Sequence, residues 1–317
     1  MSTNSEKIKL RNEYENLKKS KFKQQKLPGW RPRPTITTFT VVFISFGVFF
    51  LIIGIVMLVL QSKIKEIKYR YDDVCKGNST CYINFKFEED IKSKIIIYYQ
   101  LDNFKQNHRQ YINSKNSDQL KGNSVSLQEI INNKDCESAV TNGDIGKGGK
   151  IAADGKSILN KDELAIPCGL FAKSYFNDNF TNWTLNGEEI IPNEKDIAYK
   201  KDRDSYKNID LSKQWVDIGN EHFMVWMRPA PFSNFRKLWG RFEDIEIKKG
   251  STISVIIKNN YDVSSFNGKK YLILTTINIF GSKSSFLGIS YVVLGSLFIV
   301  FALLVLTCFN IFHKKTE

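Results

Sequence analysis

The stretch ITTFTVVFISFGVFFLIIGIVMLVL, residues 36–60, decides the fold: 25 residues without a charge, rich in Val, Ile, Phe and Leu. A second run, FLGISYVVLGSLFIVFALLVLTCFNI, residues 286–311, is 26 residues long and equally uncharged. As helices each reaches about 37–39 Å, enough to cross a ~30 Å hydrocarbon core with some tilt. Uncharged runs of this length are rare in the buried helices of soluble proteins. The chain reads as a two-span membrane protein. The first run is an uncleaved signal anchor, since a polar tail precedes it and no small-residue cleavage site follows it cleanly.

Two spans put both termini on one side and leave residues 61–285 on the other. Residues 1–35 form a basic tail with ten Lys or Arg against three acidic residues, and residues 312–317 a short basic tail. The positive-inside rule makes both tails cytosolic. Lysines also flank the loop at Lys63, Lys65, Lys68, Lys269, Lys270 and Lys283, so charge alone decides weakly. Covalent chemistry breaks the tie. N-glycosylation sequons begin at Asn78, Asn179 and Asn182, all in the loop. Cys75, Cys81, Cys136 and Cys168 are there too, while Cys308 lies in the second span. An even set of cysteines in a long loop fits an oxidising compartment, which places the loop in the lumen or outside the cell. Four cysteines allow three pairings. The nearest-neighbour choice is Cys75 with Cys81 and Cys136 with Cys168; the other two pairings, and a free thiol at Cys81, stay open.

The net charge of +13 is concentrated in the tail. It suits anionic cytosolic headgroups better than nucleic acid, which the loop's compartment does not offer. Three His in the whole chain leave little room for a His-based metal centre or relay, and no cofactor is expected. No Gly-x-Ser-x-Gly, His-Glu-x-x-His or Cys-x-x-Cys pattern is present, and a solvated face explains most of the loop carboxylates, among them Asp102, Asp178, Asp202 and Glu221. The chain is not read as an enzyme.

The loop itself reads as a mainly-β, antiparallel, sandwich-like domain. Cys81, Ile83, Phe85 and Phe87 alternate onto one face. Residues 95–101 form a continuous apolar run of strand length, and Asn186-Gly187 supplies a hairpin turn with φ positive twice. Residues 252–257 and 271–280 flank a second turn signal at Asn267-Gly268. The polar segment between Asn113 and Lys161, with Gly143, Gly146, Gly148 and Gly149, reads as a flexible excursion held by Cys136 and Cys168. In the spans, Gly47 and Gly54, and likewise Gly288 and Gly295, are seven residues apart, close to two helical turns. Each pair offers a smooth face to a neighbouring helix of a partner protein.

Longer segments carry a resemblance. Phe22-Lys-Gln-Gln25 with Trp30 precedes the first span. Tyr98-Tyr-Gln-Leu-Asp-Asn-Phe104 runs on through Gln106-Asn-His-Arg109 to Tyr111, and Ser117-Asp-Gln-Leu120 follows. Then come Ile166-Pro-Cys-Gly-Leu170, Phe176-Asn-Asp178, Ile197-Ala198 and Asp202-Arg203. Trp226-Met-Arg228, Phe235-Arg-Lys-Leu238, Gly281 and Phe286-Leu-Gly288 complete the series. Their order and spacing over about residues 20 to 300 resemble the cell division control protein 50 family, accessory β-subunits of type IV P-type ATPases. The chain departs from the family pattern at Lys173, Pro229 and Ser282, and at Glu137, where a proline commonly follows the third lumenal cysteine.

The resemblance implies a non-catalytic, chaperone-like subunit in a heterodimer with a phospholipid flippase, located in membranes of the secretory system. It implies support for the ATPase's folding, its exit from the endoplasmic reticulum and its transport of phospholipid from the exoplasmic to the cytosolic leaflet. Within that frame Phe22 and Trp30 suit an interfacial strip, and Trp226, Arg228, Phe235 and Arg236 a partner-binding hot spot. Lys314-Lys315 reads as stop-transfer lysines or as a dilysine retrieval signal. The alternative function is a subunit of a two-span, homo-oligomeric ligand-gated channel.

Overall fold

The structure, a computed structural model, describes residues 4–26 and 35–314. Nine helices and eight strands are found among them. The helices are α1 (Asn4–Lys19), α2 (Ile36–Ser62), α3 (Arg109–Asn113), α4 (Ser117–Leu120), α5 (Leu127–Asn133), α6 (Leu170–Lys173), α7 (Lys200–Ser205), α8 (Glu221–Trp226) and α9 (Phe286–Lys314). The strands are β1 (Glu66–Arg70), β2 (Thr80–Lys86), β3 (Ile95–Asp102), β4 (Asn179–Leu185), β5 (Glu188–Glu189), β6 (Phe235–Phe242), β7 (Thr252–Lys258) and β8 (Lys269–Thr276). The chain divides into two units, residues 1–58 with 286–317, and residues 59–285.

The first unit contains the two helices long and apolar enough to span a bilayer. Only 17% of the most apolar stretch of α2 and 11% of that of α9 is buried, unlike the core helix of a soluble protein. Their side chains want a lipid environment. The helices meet along a seam of glycines and rings. Phe43 lies edge-on to Phe298 with centroids 5.5 Å apart, and Phe50 stacks on Tyr291 at 5.7 Å.

The second unit is a β-sandwich of two four-stranded antiparallel sheets, ordered β1-β8-β3-β6 and β2-β7-β4-β5. Alternation drives it. In β2, Ile83 and Phe85 are buried while Tyr82, Asn84 and Lys86 face water. In β3 nearly every residue is buried because the strand is central, bonded to β8 on one edge and β6 on the other. That accounts for its run of apolar and aromatic residues, interrupted only by buried Gln100. Rings from the two sheets interlock between the layers, with Phe180 of β4 4.8 Å from Trp239 of β6 and Trp183 of β4 5.6 Å from Phe242. A bulge between Ile97 and Tyr98 shifts the β3–β6 register around Trp239. Asn186 and Gly187 adopt φ of 53° and 95°, which closes the β4–β5 hairpin.

Three expectations need correction. β7 and β8 do not form a hairpin across Asn267-Gly268: they lie in opposite sheets, joined through a short 3₁₀ turn at Ser264–Phe266 that ends on left-handed Asn267. β8 stops at Thr276, and the apolar residues after it form a separate turn. The polar segment after α3 is no loose excursion. It has its own small core of Ile130, Cys136, Ala139, Ile145, Ala165 and Cys168. Backbone bonds tie its turns together: Asn142 N–H donates to Glu163 O at 2.9 Å and Gly143 N–H to Lys161 O at 2.8 Å. A Cβ at Gly143 or Gly148 would lie 2.8 or 2.9 Å from Lys161, so these two glycines serve close chain approach.

Candidate partner interface

The four span glycines face one another within this chain. A Cβ on Gly47 would stand 2.9 Å from the carbonyl of Gly295, and one on Gly295 2.7 Å from that of Gly47. Gly54 and Gly288 repeat the arrangement about two turns along, with a Gly54 Cβ 3.0 Å from Gly288 O. The expectation that these faces receive a partner's helix is corrected: small residues let α2 and α9 approach each other. The outer faces of both helices carry large exposed side chains such as Phe49, Ile52, Leu297 and Leu304.

In the β domain, the proposed hot-spot residues separate by burial. Trp226 is fully buried; its indole N–H donates to Phe171 O at 3.0 Å, and its ring meets Phe104 and Tyr261. Phe235 is also buried in the same cluster. Both rings are core, which corrects their assignment as partner contacts. A tryptophan and a phenylalanine in a motif-rich segment look alike in sequence whether they fill a core or an interface.

The two arginines remain nearer the surface, already paired. Arg228 donates from Nε to Asp202 Oδ2 at 2.5 Å and lies 3.7 Å over the Tyr199 ring. Arg236 grips Glu66 with both terminal nitrogens, at 2.7 and 3.0 Å, and its Nε donates to Gln100 Oε1 at 3.3 Å. Two guanidinium groups fixed by carboxylates, one of them over an aromatic ring, present a preorganised polar surface. Phe22 sits in the turn after α1 with 75% of its surface exposed. Trp30 and Lys315 lie outside the described residues; Lys314 closes α9.

Disulfides join Cys75 to Cys81 and Cys136 to Cys168, with Cα–Cα distances of 5.4 and 5.5 Å. Asn78, Asn179 and Asn182 are all exposed, and Asn182 has a φ of 51° at an irregularity in the β4–β7 pairing. His108 is exposed at the start of α3. Among the described residues no group of three or more His, Cys, Asp or Glu comes together to hold a metal ion.

Two buried charge centres escape a reading based on composition. Asp178 is not on a solvated face: its side chain is fully buried, 2.7 Å from Lys270 Nζ. The Tyr71 hydroxyl donates to Asp178 Oδ2 at 2.8 Å, and the N–H groups of Asn260 and Tyr261 donate to Oδ1 at 2.6 Å each. Burial and the Asp178 carboxylate push the Tyr71 phenol well up, so it stays a donor. The other centre is Lys237, whose Nζ donates to the carbonyls of Val225 (3.0 Å), Trp226 (3.4 Å) and Arg228. Burial, and then the Arg228 guanidinium, push its pKa down to about 7. The signal was phase: Asp178 alternates with Phe176 and Phe180, Lys270 with Leu272 and Leu274, and Lys237 with Phe235 and Trp239, all buried.

The model of the LEM3 (ligand-effect modulator 3) family / CDC50 family matches residues 5–316. Putative ALA-interacting subunit 4 of Arabidopsis thaliana is 33% identical over 309 residues, covering 88% of this chain and 85% of that protein. Cell cycle control protein 50A of Bos taurus is 31% identical over 323 residues, covering 87% and 84%. Phospholipid-transporting ATPase accessory subunit CRF1 of Saccharomyces cerevisiae is 32% identical over 255 residues, covering 73% of this chain and 59% of that one.

Proposed function

We propose, from the premise that this chain belongs to the CDC50 family, that it is a non-catalytic accessory subunit of a type IV P-type ATPase. The observation that carries the reading is the extent of the family match, residues 5–316, which takes in both spans and the whole β domain. A relative matched over most of this chain is named an accessory subunit of a phospholipid-transporting ATPase. The reading assigns the chemistry of transport to the partner and support to this chain. It assists the ATPase's folding, its exit from the endoplasmic reticulum and its movement of phospholipid from the exoplasmic to the cytosolic leaflet.

In this reading the β domain is exoplasmic, which suits its exposed sequons and its two disulfides, and both tails are cytosolic. The protein resides in membranes of the secretory system. The exposed Phe22 and the paired Arg228 and Arg236, with Trp30 of the tail, are the partner contacts, while the glycine seam sets the spacing of the chain's own spans. Lys314-Lys315 serve as stop-transfer lysines after the second span; a sharper reading has them return unassembled subunit to the endoplasmic reticulum. Unchanged location of the lone subunit after both lysines are mutated would remove that role.

The test is co-expression with a type IV P-type ATPase from the same cell. The expected outcome is that the ATPase leaves the endoplasmic reticulum and shows phospholipid-stimulated ATP hydrolysis only when this chain is present. Equal export and hydrolysis without it would contradict the proposal.

A further inference from the structure

The residues just past β8 form a turn with an unusual surface. Ile279 is 95% exposed, Phe280 51% and Ile277 39%, although the segment is fixed by several hydrogen bonds. The N–H groups of Asn278 and Gly281 donate to each other's carbonyls at 3.1 and 3.0 Å, and Phe280 N–H donates to Asn278 Oδ1 at 2.8 Å. The Asn278 amide donates to Leu60 O at 3.1 Å, and Ser284 N–H donates to the buried Gln61 Oε1 at 3.0 Å. The tip is therefore strapped to residues 60 and 61, in the last helical turns of α2. Its apolar side chains point outward from a rigid support.

Chain connectivity restricts what can cover them. Gly281 stands five residues before Phe286, where α9 begins, so the turn stays within roughly 18 Å of that span's first residue. It is also bonded to the end of the other span. Exposed Lys63 and Lys283 flank the same stretch of chain. Apolar tips with neighbouring ammonium groups match a bilayer interface, with hydrocarbon below and headgroup phosphates beside it.

We propose that this turn is a membrane contact distinct from the spans, with Ile279 and Phe280 inserted into the leaflet on the β-domain side. The occupant is lipid, because a turn bonded to residues 60 and 61 and tethered five residues ahead of α9 carries its exposed apolar side chains where the chain enters and leaves the bilayer. The contact would hold the first bonded layer of the β domain against the bilayer surface, where an accessory subunit would otherwise be attached only through its spans.

The experiment uses the full chain reconstituted alone into phosphatidylcholine nanodiscs, in a Cys308→Ala background. An environment-sensitive thiol fluorophore is placed at Ile279→Cys, with Ile158→Cys, 73% exposed in the same domain, as the reference. The expected result at 279 is blue-shifted emission, strong quenching by lipids brominated near the headgroup, and protection from aqueous iodide. The label at 158 should behave oppositely. Iodide access at 279 equal to that at 158 would overturn the proposal. So would protection from both quenchers, which would mean that a second copy of the chain covers the turn. Phe280→Cys gives an independent reading with the same expected and contrary outcomes.

Discussion

Lys270 and Lys237 both enter the sandwich in step with apolar neighbours, and the protein answers their charges differently. Lys270 meets a full countercharge in Asp178, with Asn259 Oδ1 and Tyr261 O accepting its other protons at 2.6 Å each. Lys237 meets carbonyl dipoles at the C-terminal end of α8, and its nearby charged neighbour Arg228 has the same sign. Lys270 sits in a buried ion pair, whereas at Lys237 burial and a like charge leave the proton labile near neutral pH. One site locks strands together; the other makes the domain sensitive to pH.

The sharpest way to break the first arrangement is Asp178→Ala. It strands a buried ammonium and leaves two backbone N–H groups without their acceptor, so the expected loss is about 3–5 kcal/mol. Urea unfolding of the detergent-solubilised protein would measure it, and a loss below about 1 kcal/mol would mean the pair is not buried as described. Tyr71→Phe keeps the pair and removes one charge-assisted hydrogen bond, for an expected loss of about 1.5–3 kcal/mol by the same measurement.

Lys237 sharpens the contrast through pH. Its folded pKa of about 7 lies below the ordinary lysine value of roughly 10.4. Between those values the unfolded chain holds a proton that the folded domain has shed. Unfolding then takes up protons, and this site makes stability climb with pH, by up to about 1.4 kcal/mol per pH unit. Below pH 7 both states are protonated and the site's dependence vanishes. Lys237→Met should flatten that part of the wild-type slope between pH 7.5 and 9.5, and an unchanged slope would refute the assignment. Smallest of all is Arg228→Ala. The Arg228–Asp202 pair is half-exposed, so the expected stability loss is about 0–1 kcal/mol, in contrast to the buried pair.

Much of this architecture was legible because hydrophobic periodicity is local. The uncharged runs mark both spans, the alternation from Cys81 to Phe87 marks β2, and Asn186-Gly187 marks the hairpin. Sheet membership was not legible: the segments at 252–257 and 271–280 look like hairpin arms, but which strand pairs with which is a non-local choice. The polar segment held by Cys136–Cys168 was misread because backbone hydrogen bonds and glycine close contacts organise it, and neither leaves a hydrophobic pattern. At the candidate interface, residue type suggested Trp226 and Phe235 while burial removed them. Glycine spacing pointed to a helix contact, but a spacing cannot say whose helix fills it.

If this chain works as one subunit beside a separate transport ATPase, the two should leave the membrane together. Affinity purification of the tagged full-length protein from its own membranes in mild detergent, with mass spectrometry of stoichiometric partners, tests it most directly. The expected result is a type IV P-type ATPase at close to one copy per copy of this chain. A homo-oligomer of this chain with no ATPase would contradict it, and would turn attention to conductance across a bilayer.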